Sequence, residues 1–126
     1  MSEAKIFFCA AAFMGLLGVM GGAIGAHAVK PGLTPADVSS YDTAIVYLFV
    51  HVLALLVVAL VLHTTGEYWL LRLAGYAFVG GVVLFSGSIL ARLAFEVSFS
   101  VPLAPAGGIL LMLGWAALFL GVLLSW

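Results

Sequence analysis

The sequence contains no asparagine and no glutamine among its 126 residues, and it contains only one cysteine. Without asparagine there is no N-glycosylation sequon, and the amide side chains that often hydrogen-bond helices together in lipid are also missing. Charge is scarce as well, with four basic and five acidic residues. So few cations form no basic patch, which argues against nucleic-acid binding and polybasic docking to lipid. The single cysteine, Cys9, has no partner for an intramolecular disulfide.

What remains is mostly apolar. Hydrophobic residues make up 66% of the chain and charged residues 7%, whereas about a quarter of the residues in a soluble domain are charged. A globular core of this size cannot hide so much apolar surface from water, so lipid must be the solvent. The sequence therefore predicts a single all-α domain, residues 1–126, an integral membrane four-helix bundle. The predicted spans are residues 6–28, 41–63, 68–95 and 106–125.

Short polar segments separate the spans. Residues 30–32 (KPG) end the first span, and residues 34–37 (TPAD) resemble the opening of a short interfacial helix. Ser39 or Ser40 is expected to cap the second span, and residues 64–67 are expected to form a tight turn. Basic residues divide equally between the two membrane sides, so the positive-inside rule gives no orientation.

The N-terminus imitates a signal peptide. Lys5 precedes an apolar stretch that ends in an A-x-A sequence at residues 26–28. The apolar run is longer than that of an ordinary signal peptide, so we expect a retained membrane span.

Glycine is abundant, with 15 residues, and in lipid it lets helix backbones approach closely. The glycines recur at helical spacing, so each set is expected to share one helix face. Such seams either close the bundle within the chain, as small-residue faces mostly do, or present one face outward to another subunit. The predicted packing residues are Gly15, Gly18, Gly22 and Gly25 in the first span, Gly81 in the third, and Gly107, Gly114 and Gly121 in the fourth.

Polar side chains within the spans are costly in lipid, and an ionisable one there is a functional hypothesis by default. Thr43, Tyr47 and His51 lie at successive i,i+4 positions on the second span, and Ser88, Arg92 and Glu96 repeat this spacing on the third. Two such stripes facing each other would form a polar pocket through half the membrane. The predicted cluster consists of His27, Asp42, Thr43, Tyr47, His51, Ser86, Ser88, Arg92 and Glu96.

The same cluster has a purely structural interpretation, in which it fixes the register of the helices. In that interpretation Arg92 pairs with Glu96 or Asp42. His51 then hydrogen-bonds a tyrosine, a serine or a backbone carbonyl.

Cofactor chemistry has little support. His27, His51 and His63 lie at three different depths by helix rise, so no two of them can hold a haem from both sides. No spacing of Cys, His, Asp or Glu fits a metal site, and no nucleophile stands beside a base. The sequence predicts no metal, no cofactor and no enzymatic activity.

Four segments carry a family resemblance: residues 22–28 (GAIGAHA), Thr43-Ala44 with Tyr47 and His51, residues 84–88 (LFSGS), and residues 105–108 (PAGG) leading to Gly114-Trp115. Together they resemble a family of small membrane proteins of unknown function that includes the bacterial YgdD/YwdK group and a mitochondrial relative in animals. The resemblance implies four spans and a bacterial inner-membrane or organellar location, and it supplies no activity. Two segments depart from the family pattern: Arg92 replaces a neutral residue, and residues 104–108 read APAGG in place of TPIGG.

Three functions follow from these features. The first is a non-enzymatic accessory or scaffold protein that acts through helix–helix contact with itself or with a larger membrane complex. The alternative is a small homo-oligomeric transporter or channel with its polar pocket around His51 and Arg92. The third, which we place last because no catalytic or cofactor motif supports it, is an enzyme or quinone-binding subunit. The expected surroundings are the lipid bilayer of the bacterial inner (cytoplasmic) membrane, without nucleic acid.

Overall fold

The structure, a computed structural model, describes residues 1–66 and 68–126. Within them, four helical stretches are long and apolar enough to cross a bilayer, as predicted for an integral membrane four-helix bundle. Helices α1 to α5 are Glu3–Ile24, Pro35–Thr65, Trp69–Val82, Ser88–Phe95 and Leu103–Ser125. A π-helical turn, Gly25–Val29, and a 3-10 turn, Lys30–Gly32, extend α1, and a π-helical turn, Val83–Gly87, joins α3 to α4.

The second span begins earlier than predicted. Thr34 caps α2, because its hydroxyl accepts a hydrogen bond from the N–H of Asp37 at 3.2 Å. Pro35 occupies the first helical position, where its fixed φ suits the helix and its missing N–H costs nothing. The predicted cap at Ser39 or Ser40 is therefore wrong, and the expected interfacial helix is the first part of α2.

The far end of α2 also exceeds the prediction. The helix continues to Thr65, so the turn expected at residues 64–67 is helical at its first two positions; Glu67 lies outside the described residues. At 1.5 Å per residue α2 is about 46 Å long, whereas the hydrocarbon core is about 30 Å thick. Both ends of α2 therefore extend into the headgroup regions.

The helices form an open layer. α1 packs on α2, α2 packs on α3 and α4, and α3 packs on α5, whereas α1 and α5 have no substantial contact. The two middle spans are accordingly the more buried: 44% of the apolar window in each is buried, against 22% in the first span and 28% in the fourth. Because the layer is not closed into a ring, the surface between α2 and α5 stays open to lipid.

The face of α1 that meets α2 repeats every three to four residues, as in left-handed helix pairs. A Cβ on Gly18 would lie 2.6 Å from Leu48, and Gly15, at the edge of the face, would meet only Val52 at 3.7 Å. The structure corrects the prediction at Gly22, where a Cβ would meet nothing within 4 Å. The buried residues that define this face are Ala4, Phe7, Ala11, Met14, Gly18 and Gly25.

The predicted glycines of the fourth span all face α3. A Cβ on Gly107 would lie 2.8 Å from the carbonyl oxygen of Gly81 and 2.8 Å from the carbonyl carbon of Leu84, so two backbones approach each other here. A Cβ on Gly114 would lie 2.7 Å from the ring of Phe78, and one on Gly121 would lie 2.8 Å from a methyl group of Leu71. This seam packs α5 on α3 within the chain.

One packing glycine was missed by the sequence analysis. Gly75 of α3 lies against the ring of Phe7, which is fully buried and also contacts Tyr76 edge-on at 5.0 Å. Nearby, Arg72 pairs with Glu3, 2.5 Å apart, so this end of α1 is tied to α3. The spacing of Gly75 does not match that of Gly81, and only the position of Phe7 explains it.

The first prediction compares two glycine substitutions. Gly107→Ala should lower the free energy of unfolding by about 1–3 kcal/mol, since the new methyl group meets backbone atoms that side-chain rotation cannot move. Gly22→Ala, with nothing within 4 Å, should leave stability unchanged or raise it slightly. Thermal unfolding in detergent measures both. Equal stability of the two variants would contradict the close α3–α5 approach.

Candidate functional site

His51 lies in the middle of α2 and is 5% exposed. Its Nδ1 is 2.6 Å from the carbonyl oxygen of Tyr47, and its Nε2 is 3.0 Å from the indole nitrogen of Trp115 on α5. An indole N–H can only donate and a carbonyl can only accept. The proton of His51 is therefore on Nδ1, and Nε2 accepts from Trp115. Both ring nitrogens of a neutral imidazole are used in this arrangement.

Aromatic rings continue from His51 in both directions. Trp115 contacts the ring of Phe78 edge-on at 5.2 Å, and His51 contacts the same ring at 5.7 Å. On the other side, Tyr47 stacks on Phe85 at 4.7 Å with the planes 28° apart. Gly114 precedes Trp115 and leaves room for Phe78. The packing seam between α3 and α5 thus also supports the ring that holds His51.

A lipid-facing groove runs beside this cluster. Its inner part lies between α2 and α5 and has a volume of about 540 Å³, and its outer part, of about 440 Å³, lies along α2 alone, toward the start of that helix. The two parts share Val46 and Tyr47. The inner part is lined by Val46, Tyr47, Val50, His51, Phe85, Gly108, Leu111, Met112 and Trp115, and the outer part by Pro35, Val38, Ser39, Asp42, Thr43, Val46 and Tyr47.

Ser86 is the second buried polar group, with 1% exposure. It lies in the π-helical turn Val83–Gly87, and its hydroxyl donates to the carbonyl oxygen of Ala44 on α2 at 2.7 Å. Ser88 also is buried, but its hydroxyl donates to Phe85 in its own span at 3.1 Å. Of the two predicted serines, Ser86 therefore connects helices and Ser88 does not.

Two ion pairs lie where the first three spans meet the membrane surface. Lys30 pairs with Asp42 at 2.5 Å, and Arg92 lies 3.6 Å from Asp37. The pairing of Arg92 with Glu96 or Asp42 was therefore predicted wrongly. Because α2 begins earlier than expected, Asp37 lies within the helix, where it reaches Arg92, while Asp42 is taken by Lys30.

The remaining predicted residues are spread over the same membrane surface. His27, Thr43 and Glu96 are exposed, and Glu96 ends α4 in a left-handed conformation with φ 55°. Ser88 and Arg92 line a depression of about 180 Å³ with the loop before α5, separate from the groove of Tyr47 and His51. The two predicted polar stripes therefore do not face each other across one pocket.

Among the described residues, no three His, Cys, Asp or Glu side chains lie close enough together to hold a metal ion.

The predicted cluster omitted one residue of the site, Trp115. A signal for it was available: counted from the predicted starts of the second and fourth spans, residues 41 and 106, His51 and Trp115 lie about 15 Å and about 14 Å deep by helix rise. An indole N–H in hydrocarbon needs an acceptor, and His51 is the nearest one in depth.

The second prediction tests the hydrogen bond between α2 and α5. Trp115→Phe leaves Nε2 of His51 buried without its donor, which should lower the free energy of unfolding by about 1–3 kcal/mol. A double-mutant cycle with His51→Ala should give a coupling energy of about 0.6 kcal/mol, and at most roughly 1.7 kcal/mol. Trp69→Phe, at a residue 61% exposed, is the matched control. Additive effects of Trp115→Phe and His51→Ala would contradict the bond.

Known proteins resemble this chain along most of its length. A family model described as "Protein of unknown function (DUF423)" matches residues 21–108. A UPF0382 membrane protein of Haemophilus influenzae is 36% identical over 116 residues, covering 91% of this chain and 84% of that protein. A UPF0382 membrane protein of the yeast Schizosaccharomyces pombe is 35% identical over 114 residues, 86% of this chain and 93% of its own.

The resemblance found in the sequence is confirmed by a further relative. The UPF0382 membrane protein YwdK of Bacillus subtilis is 30% identical over 111 residues, 88% of this chain and 90% of its own. No solved structure matches the chain.

Proposed function

The chain belongs to the DUF423 family of membrane proteins of unknown function, and we propose that it is a non-enzymatic accessory component of the membrane. Its function is association with another constituent of the bilayer, and its association face is the groove between α2 and α5. We place it in the bacterial inner (cytoplasmic) membrane.

The observation that carries this proposal is the position of the groove. The α3–α5 glycines are used within the chain, so the helix–helix contacts expected from them are largely internal. The groove is instead a lipid-facing surface where aromatic rings and a buried hydrogen-bonded pair are held in place. Preformed, mostly apolar concavities with a few polar groups are the usual form of binding sites. Its volume lies within the usual range of about 300–1,000 Å³.

The second part of the proposal is that the groove catalyses no reaction. Among the described residues that line the inner groove, His51 is the only ionisable side chain apart from the Tyr47 phenol, and both its ring nitrogens already have partners. A general base needs a free nitrogen within reach of a substrate. His51 therefore serves as a support that fixes Trp115 at the wall of the groove.

The transporter or channel expected as the alternative has less support. Its polar path required Arg92 and His51 to line one pocket, whereas they line separate depressions. Flux through liposomes remains its direct test: conduction that is lost in both His51→Ala and Arg92→Ala would favour the transporter over the accessory role.

The third prediction concerns crosslinking in intact membranes. A photoreactive amino acid at Met112, in the groove, should give one adduct of defined added mass, because a specific constituent occupies that face. The same amino acid at Val19, exposed on the outer side of α1, is the matched control and should give only a diffuse distribution. Diffuse adducts at both positions would contradict the association face.

A further inference from the structure

We propose that the groove between α2 and α5 binds a single lipid of the leaflet on the Lys30–Asp42 side, a zwitterionic phospholipid with an ammonium headgroup. This inference rests on the proposed function, because it identifies the bilayer constituent that the association face holds.

The length of the groove fits one leaflet. Its outer part begins at Pro35 and includes Asp42 and Thr43, and its inner part reaches His51 on α2. Pro35 to His51 spans about 24 Å of helix rise, which is close to the depth of one leaflet with its headgroup region, about 20–22 Å. A transmembrane helix of a partner protein would cross both leaflets and contact α2 along its whole length. A lipid occupies one leaflet only, as the groove does.

Polarity along the groove follows the order of groups in a phospholipid. The outer part contains the Asp42 carboxylate and the hydroxyls of Ser39 and Thr43. Tyr47 lies where the two parts meet, and its hydroxyl, which has no hydrogen-bond partner among the described residues, is suited to donate to an ester carbonyl. The inner part is mainly aliphatic and aromatic, and the nitrogens of His51 and Trp115 there are already paired. An acyl chain needs no polar partner at that depth.

Charge at the outer end favours a zwitterionic headgroup. Lys30 contacts one oxygen of Asp42, and the Asp42 side chain stays 53% exposed. A carboxylate can accept about four hydrogen bonds, so Asp42 keeps capacity for an ammonium group, while Lys30 offers a cation to the phosphate. The neighbouring pair, Arg92 and Asp37, adds no net charge. A net-neutral pair of opposite charges suits a dipolar headgroup better than an anionic one.

The fourth prediction is a lipid-retention experiment. The purified full chain is mixed with equal amounts of phosphatidylethanolamine and phosphatidylglycerol, and the bound species are measured by native mass spectrometry. Wild type should retain one phosphatidylethanolamine per chain. Val50→Trp, which fills the inner groove, should lose it. Asp42→Asn should reduce the preference for phosphatidylethanolamine about two- to fivefold, the range of an exposed ion pair.

A matched variant separates binding from folding. Val19→Trp places the same bulk on the outer side of α1 and should retain the lipid as wild type does. A phosphatidylethanolamine with a photoreactive group in its acyl chain provides a measurement without substitution. It should label peptides containing Val50 and Met112 in preference to those of α1.

Each outcome distinguishes the two proposals. Retention of both phospholipids in proportion to their supply, unchanged by Val50→Trp, would overturn the lipid site. Loss of a protein partner on Val50→Trp, without any lipid dependence, would overturn the lipid site and leave the association face intact. Diffuse crosslinking from Met112, with no retained lipid, would overturn both.

Discussion

Hydrocarbon offers no hydrogen-bond partner, so every polar group that a helix carries into the bilayer must find one within the protein. This constraint decides how α2 meets its neighbours. The Ser86 hydroxyl joins the π-helical turn between α3 and α4 to α2, because it donates to the carbonyl oxygen of Ala44. His51 joins α2 to α5 through its hydrogen bond with Trp115. α2 and α5 have few other direct contacts, so this hydrogen bond is one of the few direct links between the two walls of the groove.

The glycines between α3 and α5 also determine where the buried polar side chains lie. Gly107 brings the backbone of α5 against the π-helical turn that contains Ser86, and Gly114 makes room for Phe78, which packs on both Trp115 and His51. Dispersion contacts and close backbone approach are the main attractions between helices in lipid. The same approach that stabilises α3 on α5 therefore also brings the indole N–H to the depth of His51.

The groove is a consequence of the open layer. α1 and α5 do not close a ring, so the middle helices keep one lipid-facing side where α2 and α5 diverge around the aromatic rings. The two parts of the groove differ in polarity because they lie at different depths. At its outer end α2 extends into the headgroup region, where charged groups are solvated, whereas His51 lies in hydrocarbon, where each polar atom needs a partner. This gradient gives the face an orientation within one leaflet and supports a role in association rather than conduction.

Length and hydropathy alone determined the four spans, since a run of apolar residues long enough to cross the bilayer has no other stable setting. Helical periodicity likewise determined that Gly107, Gly114 and Gly121 share a face. Sequence could not decide that Gly22 lies off the α1 face, that Gly75 accommodates Phe7, or that Arg92 pairs with Asp37 and His51 with Trp115. Those pairings depend on the rotation and relative depth of neighbouring helices. Periodicity fixes which residues share a side of one helix, and only the packing of the helices against each other fixes what that side meets.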